Sequence, residues 1–257
     1  MSSFVMTAIK FASLAALVYI GLCGVLFFFQ RSLLYLPHPS SDTDPAHTIT
    51  VAVAGAELQV FAHRSDAPDA ILYFGGNAED VSSSMPNLQT AFPDHALYLP
   101  RYRGYGGSSG KPSEAALFGD ALEIFDLIRK NHQNITVIGR SLGSGVAVHL
   151  ASARPVSRLV LITPFDSIVE LAEDLYPVFP VRWLLLDRFE SGKYAASVTA
   201  PTRIIAAERD DVVPRRSTEK LFQSFGTGVA DMKIVTGTGH NDISWSPDYI
   251  KFLRDCL

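Results

Sequence analysis

Two regimes of hydrophobic patterning divide the chain. Residues 11–29 (FASLAALVYIGLCGVLFFF) run without a charge, and as a helix they would cover about 28 Å, close to the hydrocarbon thickness of a bilayer. The run predicts one membrane-spanning helix inside an N-terminal anchor at 1–36. A cleaved secretory signal is the competing reading, but no small-x-small site follows the run, and Leu22 occupies the place where a lipoprotein signal at Cys23 needs a small residue. Lys10 and the α-amine flank one end and Arg31 the other. This near balance gives a positive-inside argument little to use, and the reading leans to a domain outside the cytoplasm. Residues 37–48 (PHPSSDTDPAHT), with three prolines, read as a linker.

The remainder, 49–257, reads as one domain. Short β-branched and aromatic runs at 48–54, 58–63, 70–74, 96–99, 135–138, 158–162, 202–206 and 232–235 predict strands. Helical patterns lie between the later ones. Residues 114–130 put Leu117, Ala121, Ile124, Phe125 and Ile128 on one face, and 142–153 and 217–225 behave alike. Such alternation requires a mostly parallel sheet flanked by helices on both faces, an α/β fold. Only Gly55, Ala56 and Glu57 separate the first two strands, which predicts an antiparallel hairpin at the sheet edge. Residues 164–199, helical and aromatic-rich but interrupted by Pro177 and Pro180, predict a small cap over the sheet's C-terminal edge.

Composition narrows the function. The 257 residues carry 22 Lys+Arg against 26 Asp+Glu, a net charge of −4, with 47% hydrophobic residues. That balance excludes a disordered chain and a polybasic nucleic-acid binder. Two cysteines, Cys23 and Cys256, make neither a disulfide framework nor a zinc site. No nucleotide or dinucleotide fingerprint and no metal-ligand spacing occurs, so the sequence implies no cofactor.

Gly-x-Ser-x-Gly occurs twice, around Ser141 and around Ser108. A nucleophile elbow is a strained turn from a buried strand directly into a helix. Ser141 has that context, between the strand at 135–138 and the helical 142–153. Ser108 sits in a glycine-rich loop ending in Lys111-Pro112. A serine nucleophile needs a histidine base held by a carboxylate. His38 and His47 lie in the linker, His63 and His95 flank early strands, His132 ends a helix and His149 is inside one. His240 follows the last strand in a glycine-rich loop and is the candidate base. Asp210 and Asp211, adjacent after the strand at 202–206, are the candidate acids, of which one can face the histidine. For the oxyanion, the expected donors are the backbone N–H of Leu142, next to the nucleophile, and that of Asn77 in the loop Gly75-Gly76-Asn77.

QRSLLYLP, FGGNAED, YRGYGGSSGKPSE, GRSLGSG, ERDDVVP and GTGHNDI, in that order, give the chain a resemblance to membrane-anchored α/β-hydrolases of the BEM46 type. These are similar to α/β-hydrolase domain-containing proteins of the 13 and 17 groups and are labelled serine aminopeptidase S33-like. The resemblance implies an α/β-hydrolase fold and a triad of Ser141, Asp210 and His240, with Asp210 chosen because Asp-x-x-x-Pro matches Asp210 and Pro214. It implies esterase or thioesterase chemistry on a small acyl ester, lipid or acylated substrate, and membrane lipid as partner of the N-terminal helix; an aminopeptidase, which the S33 label alone would imply, and a catalytically silent hydrolase-fold binding protein are the alternatives. Where many relatives have His-Gly-Asn this chain has Gly75-Gly76-Asn77, which implies an oxyanion loop held differently with its N–H donors intact.

Overall fold

A computed structural model describes residues 3–37, 39 and 47–256. Most of the expected linker, including His38, lies outside the described residues. Eight strands form one sheet: β1 (Thr48–Val53), β2 (Ala56–His63), β3 (Asp69–Phe74), β4 (Ala96–Pro100), β5 (Asn134–Arg140), β6 (Arg158–Ile162), β7 (Thr202–Ala207) and β8 (Ala230–Val235). Their order is β1-β2-β4-β3-β5-β6-β7-β8. β3 to β8 run parallel, while β2 pairs antiparallel with both β4 and β1. The edge hairpin turns over Ala54 and Gly55, with Val53 opposite Ala56.

Alternation along the strands explains the two-sided core. Ala70, Leu72 and Phe74 of β3 join Ile135 and Val137 of β5 on one face, under α3 (Glu114–Ile128) and α4 (Leu142–Ala153). Ile71 and Tyr73 join Ile138 and Val160 on the other, under α2 (Met85–Ala91) and α9 (Pro247–Arg254). Continuous apolar strands are what burial on both faces demands. Between β6 and β7 lie α5 (Ile168–Leu175), α6 (Val181–Leu184) and α7 (Ser191–Ala195); α8 (Arg215–Ser224) precedes β8.

Helix α1 (Ser3–Leu34) is long and apolar enough to cross a membrane, and its last turns join the domain. Arg31 donates twice to Asp187, at 2.8 and 3.1 Å. Gln30 donates to the Leu184 carbonyl and accepts from Leu186 N–H. Tyr35, just past the helix, is 2% exposed within the main core.

Register sets the working edge. Phe74 pairs with Gly139, Arg140 with Ile162 and Ala207 with Val235, so the C-terminal ends of β3, β5, β7 and β8 fall at one edge of the sheet. The loops that leave this edge carry every candidate site residue.

Candidate active site

Ser141 stands alone between β5 and α4 with φ +48° and ψ −117°, a conformation that costs a non-glycine residue about 1–3 kcal/mol. Its backbone is fixed on both sides: Ser141 N–H donates to the Ile162 carbonyl at 2.9 Å, and its own carbonyl accepts from Ser144 N–H at 2.9 Å and from Ser144 Oγ at 2.6 Å. The flanking glycines let helix and strand close on each other. A Cβ at Gly143 would collide with the Phe74 and Gly75 carbonyls, and one at Gly139 with the Gly143 carbonyl.

Ser141 Oγ lies 2.9 Å from His240 Nε2, and His240 Nδ1 lies 2.9 Å from Asp210 Oδ2 and 3.0 Å from Oδ1. A carboxylate only accepts, so Nδ1 carries the proton and Nε2 is left to accept from the serine. The imidazole and the carboxylate side chains are each 6% exposed. Asp210 Oδ1 also accepts from Val212 and Val213 N–H, at 3.0 and 2.7 Å, which fixes the carboxylate toward the ring. Asp211 is exposed. Ser108 is elsewhere: its hydroxyl donates to the Arg101 carbonyl and accepts from Gln59 N–H, each at 2.9 Å, stitching a loop to β2. Of the other histidines, His132 is held between Tyr98 and the Ala67 carbonyl, His149 stacks on Phe118 and His47 faces His63.

The loop after β3 is held by residues that spacing did not reveal. Glu79 accepts from Gly76 N–H at 2.6 Å, from Tyr73 at 2.6 Å, from Ser84 at 2.7 Å and from Arg140 at 3.1 Å. Burial first, and then the Glu79 charge, push the Tyr73 phenol well above its ordinary value, so it stays a donor. Tyr102 Oη holds the Gly75 carbonyl at 2.7 Å. With Gly76 N–H engaged by Glu79, the next N–H, that of Asn77, makes no hydrogen bond to another described residue. Leu142 N–H heads α4, where no intrahelical acceptor exists. The Asn77 side chain serves another purpose. It donates to the Leu34 carbonyl at 2.6 Å and accepts from Leu36 N–H at 3.1 Å and from Tyr105 Oη at 2.8 Å; burial pushes that phenol up to about 12. Arg140 was visible in sequence only as a variable position of the Gly-x-Ser-x-Gly motif, and Glu79 as one acid in a polar loop.

The family described as alpha/beta hydrolase fold matches residues 70–184. An uncharacterized protein of Mycobacterium tuberculosis is 36% identical over 259 residues, covering 91% of this chain and 89% of that protein. Protein bem46 of Schizosaccharomyces pombe is 24% identical, covering 100% of this chain and 95% of that one. Lysophosphatidylserine lipase ABHD12 of Mus musculus is 31% identical over 220 residues, a match covering 73% of this chain and 55% of that longer protein. Among solved structures, Pyrococcus furiosus esterase Pf2001 superimposes with a TM-score of 0.70 at 15% identity, covering 87% of this chain and 95% of that one. Est1E of Butyrivibrio proteoclasticus does so at 0.65 and 13%, covering 80% and 96%. The fold, the strand order and the near full-length relatives agree: the chain belongs to the α/β-hydrolases, in their BEM46-type branch.

Proposed function

We propose that the protein is a membrane-tethered serine hydrolase that cleaves acyl esters or thioesters. The observation that carries the reading is the unbroken relay from Ser141 Oγ through His240 to Asp210, with both contacts at 2.9 Å. Ser141 Oγ attacks the acyl carbonyl while its proton passes to His240 Nε2, and Asp210 stabilises the imidazolium that forms. The oxyanion is met by the N–H groups of Leu142 and Asn77. Collapse of the tetrahedral intermediate breaks the bond to the leaving oxygen or sulfur, which takes the proton from Nε2 and departs, leaving an acyl-serine. Water then gives its proton to His240 and attacks the acyl carbon. Release of the carboxylic acid returns the proton to Ser141.

Helix α1 is read as a single-pass anchor with the domain outside the cytoplasm, a placement that reagents confined to one side of the membrane would test. The lipase and esterase names of relatives and structural neighbours favour ester substrates. The direct test is fluorophosphonate labelling and p-nitrophenyl butyrate hydrolysis by the full chain. Ser141→Ala should abolish both, and Ser108→Ala should keep both. A wild-type chain that neither labels nor turns over would instead be a silent hydrolase-fold binding protein.

A further inference from the structure

Between α1 and the cap helices lies a cavity of about 340 Å³, too large for a packing defect in a close-packed interior. Leu26 and Leu33 of α1 form one wall and Leu171 and Phe179 of the cap segment the other. Two of its lining residues adjoin the candidate chemistry. Asn77 lines it, next to Gly76, where an added Cβ would sit 3.5 Å from Ser141 Cβ. Val212 lines it too, and its N–H holds Asp210.

The two amide side chains in the lining are already engaged. Gln30 Nε2 donates to the Phe27 and Leu184 carbonyls and its Oε1 accepts from Leu186 N–H, while the Asn77 amide ties α1 to the oxyanion loop. A ligand in this space meets hydrocarbon along its length.

The surroundings say where that ligand comes from. The cap follows α1 well past its end: Tyr19 Oη donates to the Val178 carbonyl at 2.8 Å and its ring stacks on Phe179. From Tyr19 to Leu34 the helix rises about 22 Å, so a bilayer crossed by α1 would hold this flank of the cap within one leaflet. Leu175, Val178 and Trp183 on the cap are 73%, 70% and 87% exposed, apolar surface that hydrocarbon would favour over water.

We infer that the cavity between α1 and the cap is the acyl-chain site, and that the substrates are esters of a medium-chain fatty acid whose chain slides in from the leaflet. The inference rests on the serine-hydrolase reading for its ester carbon and on the cavity for its chain. Helix α1 is then a wall of the substrate site as well as a tether. Its span from Leu26 to Leu34, about 12 Å of helix, suits a decanoyl chain and leaves most of the wall unused by a butyryl one.

The test uses the full chain in detergent micelles. Trp is placed in the cavity from either side, in Leu33→Trp and Leu171→Trp, and the ratio of kcat/KM for p-nitrophenyl decanoate over butyrate is measured. Each methylene contact in an apolar pocket is worth about tenfold or more, so the ratio should fall at least about tenfold in both variants. An unmoved ratio overturns the assignment. As a readout that needs neither a refolded core nor turnover, Ser141→Ala is irradiated with decanoic acid bearing a diazirine at its methyl end. Crosslinks within 26–34 and 168–185 support the site, and crosslinks confined elsewhere overturn it. If Ser141→Ala still hydrolyses esters at the wild-type rate, the serine mechanism fails, while the crosslink map judges the cavity on its own.

Discussion

The side-chain amide of Asn77 donates to the carbonyl of Leu34 at 2.6 Å, so the residue offering a candidate oxyanion N–H also grips the end of the N-terminal helix. Asn77→Ala retains the backbone donor and removes the grip together with the contact from Tyr105 Oη. Misplacing a reacting geometry by about an ångström costs about 100-fold; a loosened loop should therefore lower kcat on p-nitrophenyl butyrate by about 10- to 100-fold with KM moved far less. Steady-state kinetics checks this. An unchanged kcat would mean that Glu79 and Tyr102 hold the loop without Asn77.

The same attachment bears on truncation. Read as separable blocks, anchor and domain imply that a chain starting near Asp42 stays soluble and active on short esters. Such a chain loses Tyr35 from the core and leaves Asp187, whose side chain is 5% exposed, without Arg31. Removing one partner of a buried pair costs about 3–5 kcal/mol, less where the other partner is half in water as Arg31 is, and emptying an aromatic site adds about 3–5 kcal/mol. The Asp42 start should aggregate or unfold below 37 °C, and a start at Gly24, keeping residues 24–36, should fold. Thermal unfolding of both chains followed by circular dichroism decides.

What was legible in sequence is what is local. Strand, elbow and helix around Ser141 fall within twenty residues, and the two glycines that permit the approach belong to the motif itself. The contact between Glu79 and Arg140 spans 61 residues and leaves no periodic trace. Helix α2 has 7 residues with a proline in its first turn, too short to show a period. In α1 the half-buried positions Leu26, Phe27, Gln30 and Leu34 form a stripe of helical spacing, but the helix is apolar on nearly every side, so the face that meets protein looks like the face that would meet lipid.

Adjacent aspartates are a register question that spacing left open. Asp210 faces His240 with two backbone N–H groups behind it, and Asp211 points into solvent. Asp210→Asn should lower kcat by about 10³- to 10⁴-fold, and Asp211→Asn by no more than a few-fold. Equal losses in stopped-flow or steady-state assays would mean that the loop changes register when substrate binds.

His149 sets an acid limit on stability. Its ring lies 3.9 Å from that of Phe118 and 4.9 Å from that of Tyr194, and burial holds its pKa below the ordinary 6.5. Below pH 6.5 the unfolded chain takes up this proton before the folded one does. The contribution is whole above that value, is lost as pH falls toward the folded pKa, and then levels off. Urea unfolding across this range should show the loss in wild type and a flatter profile in His149→Phe.

The strain at Ser141 can be measured apart from its chemistry. Ser141→Ala and Ser141→Gly both lack the hydroxyl and its contact with His240, so both should be inactive to the same degree. They differ in the backbone: at φ +48° and ψ −117° alanine keeps a Cβ penalty of about 1–3 kcal/mol, whereas glycine adopts the turn freely. Glycine also gives the unfolded chain more freedom, a cost of about 0.4–1 kcal/mol. The difference leaves Ser141→Gly more stable than Ser141→Ala by about 1 kcal/mol, or about 2–4 °C in Tm for a chain of this size. Parallel denaturant titrations of the two inactive variants isolate the effect. Equal stability would mean that the elbow is unstrained and that the serine is presented by its hydrogen bonds to Ile162 and Ser144 alone.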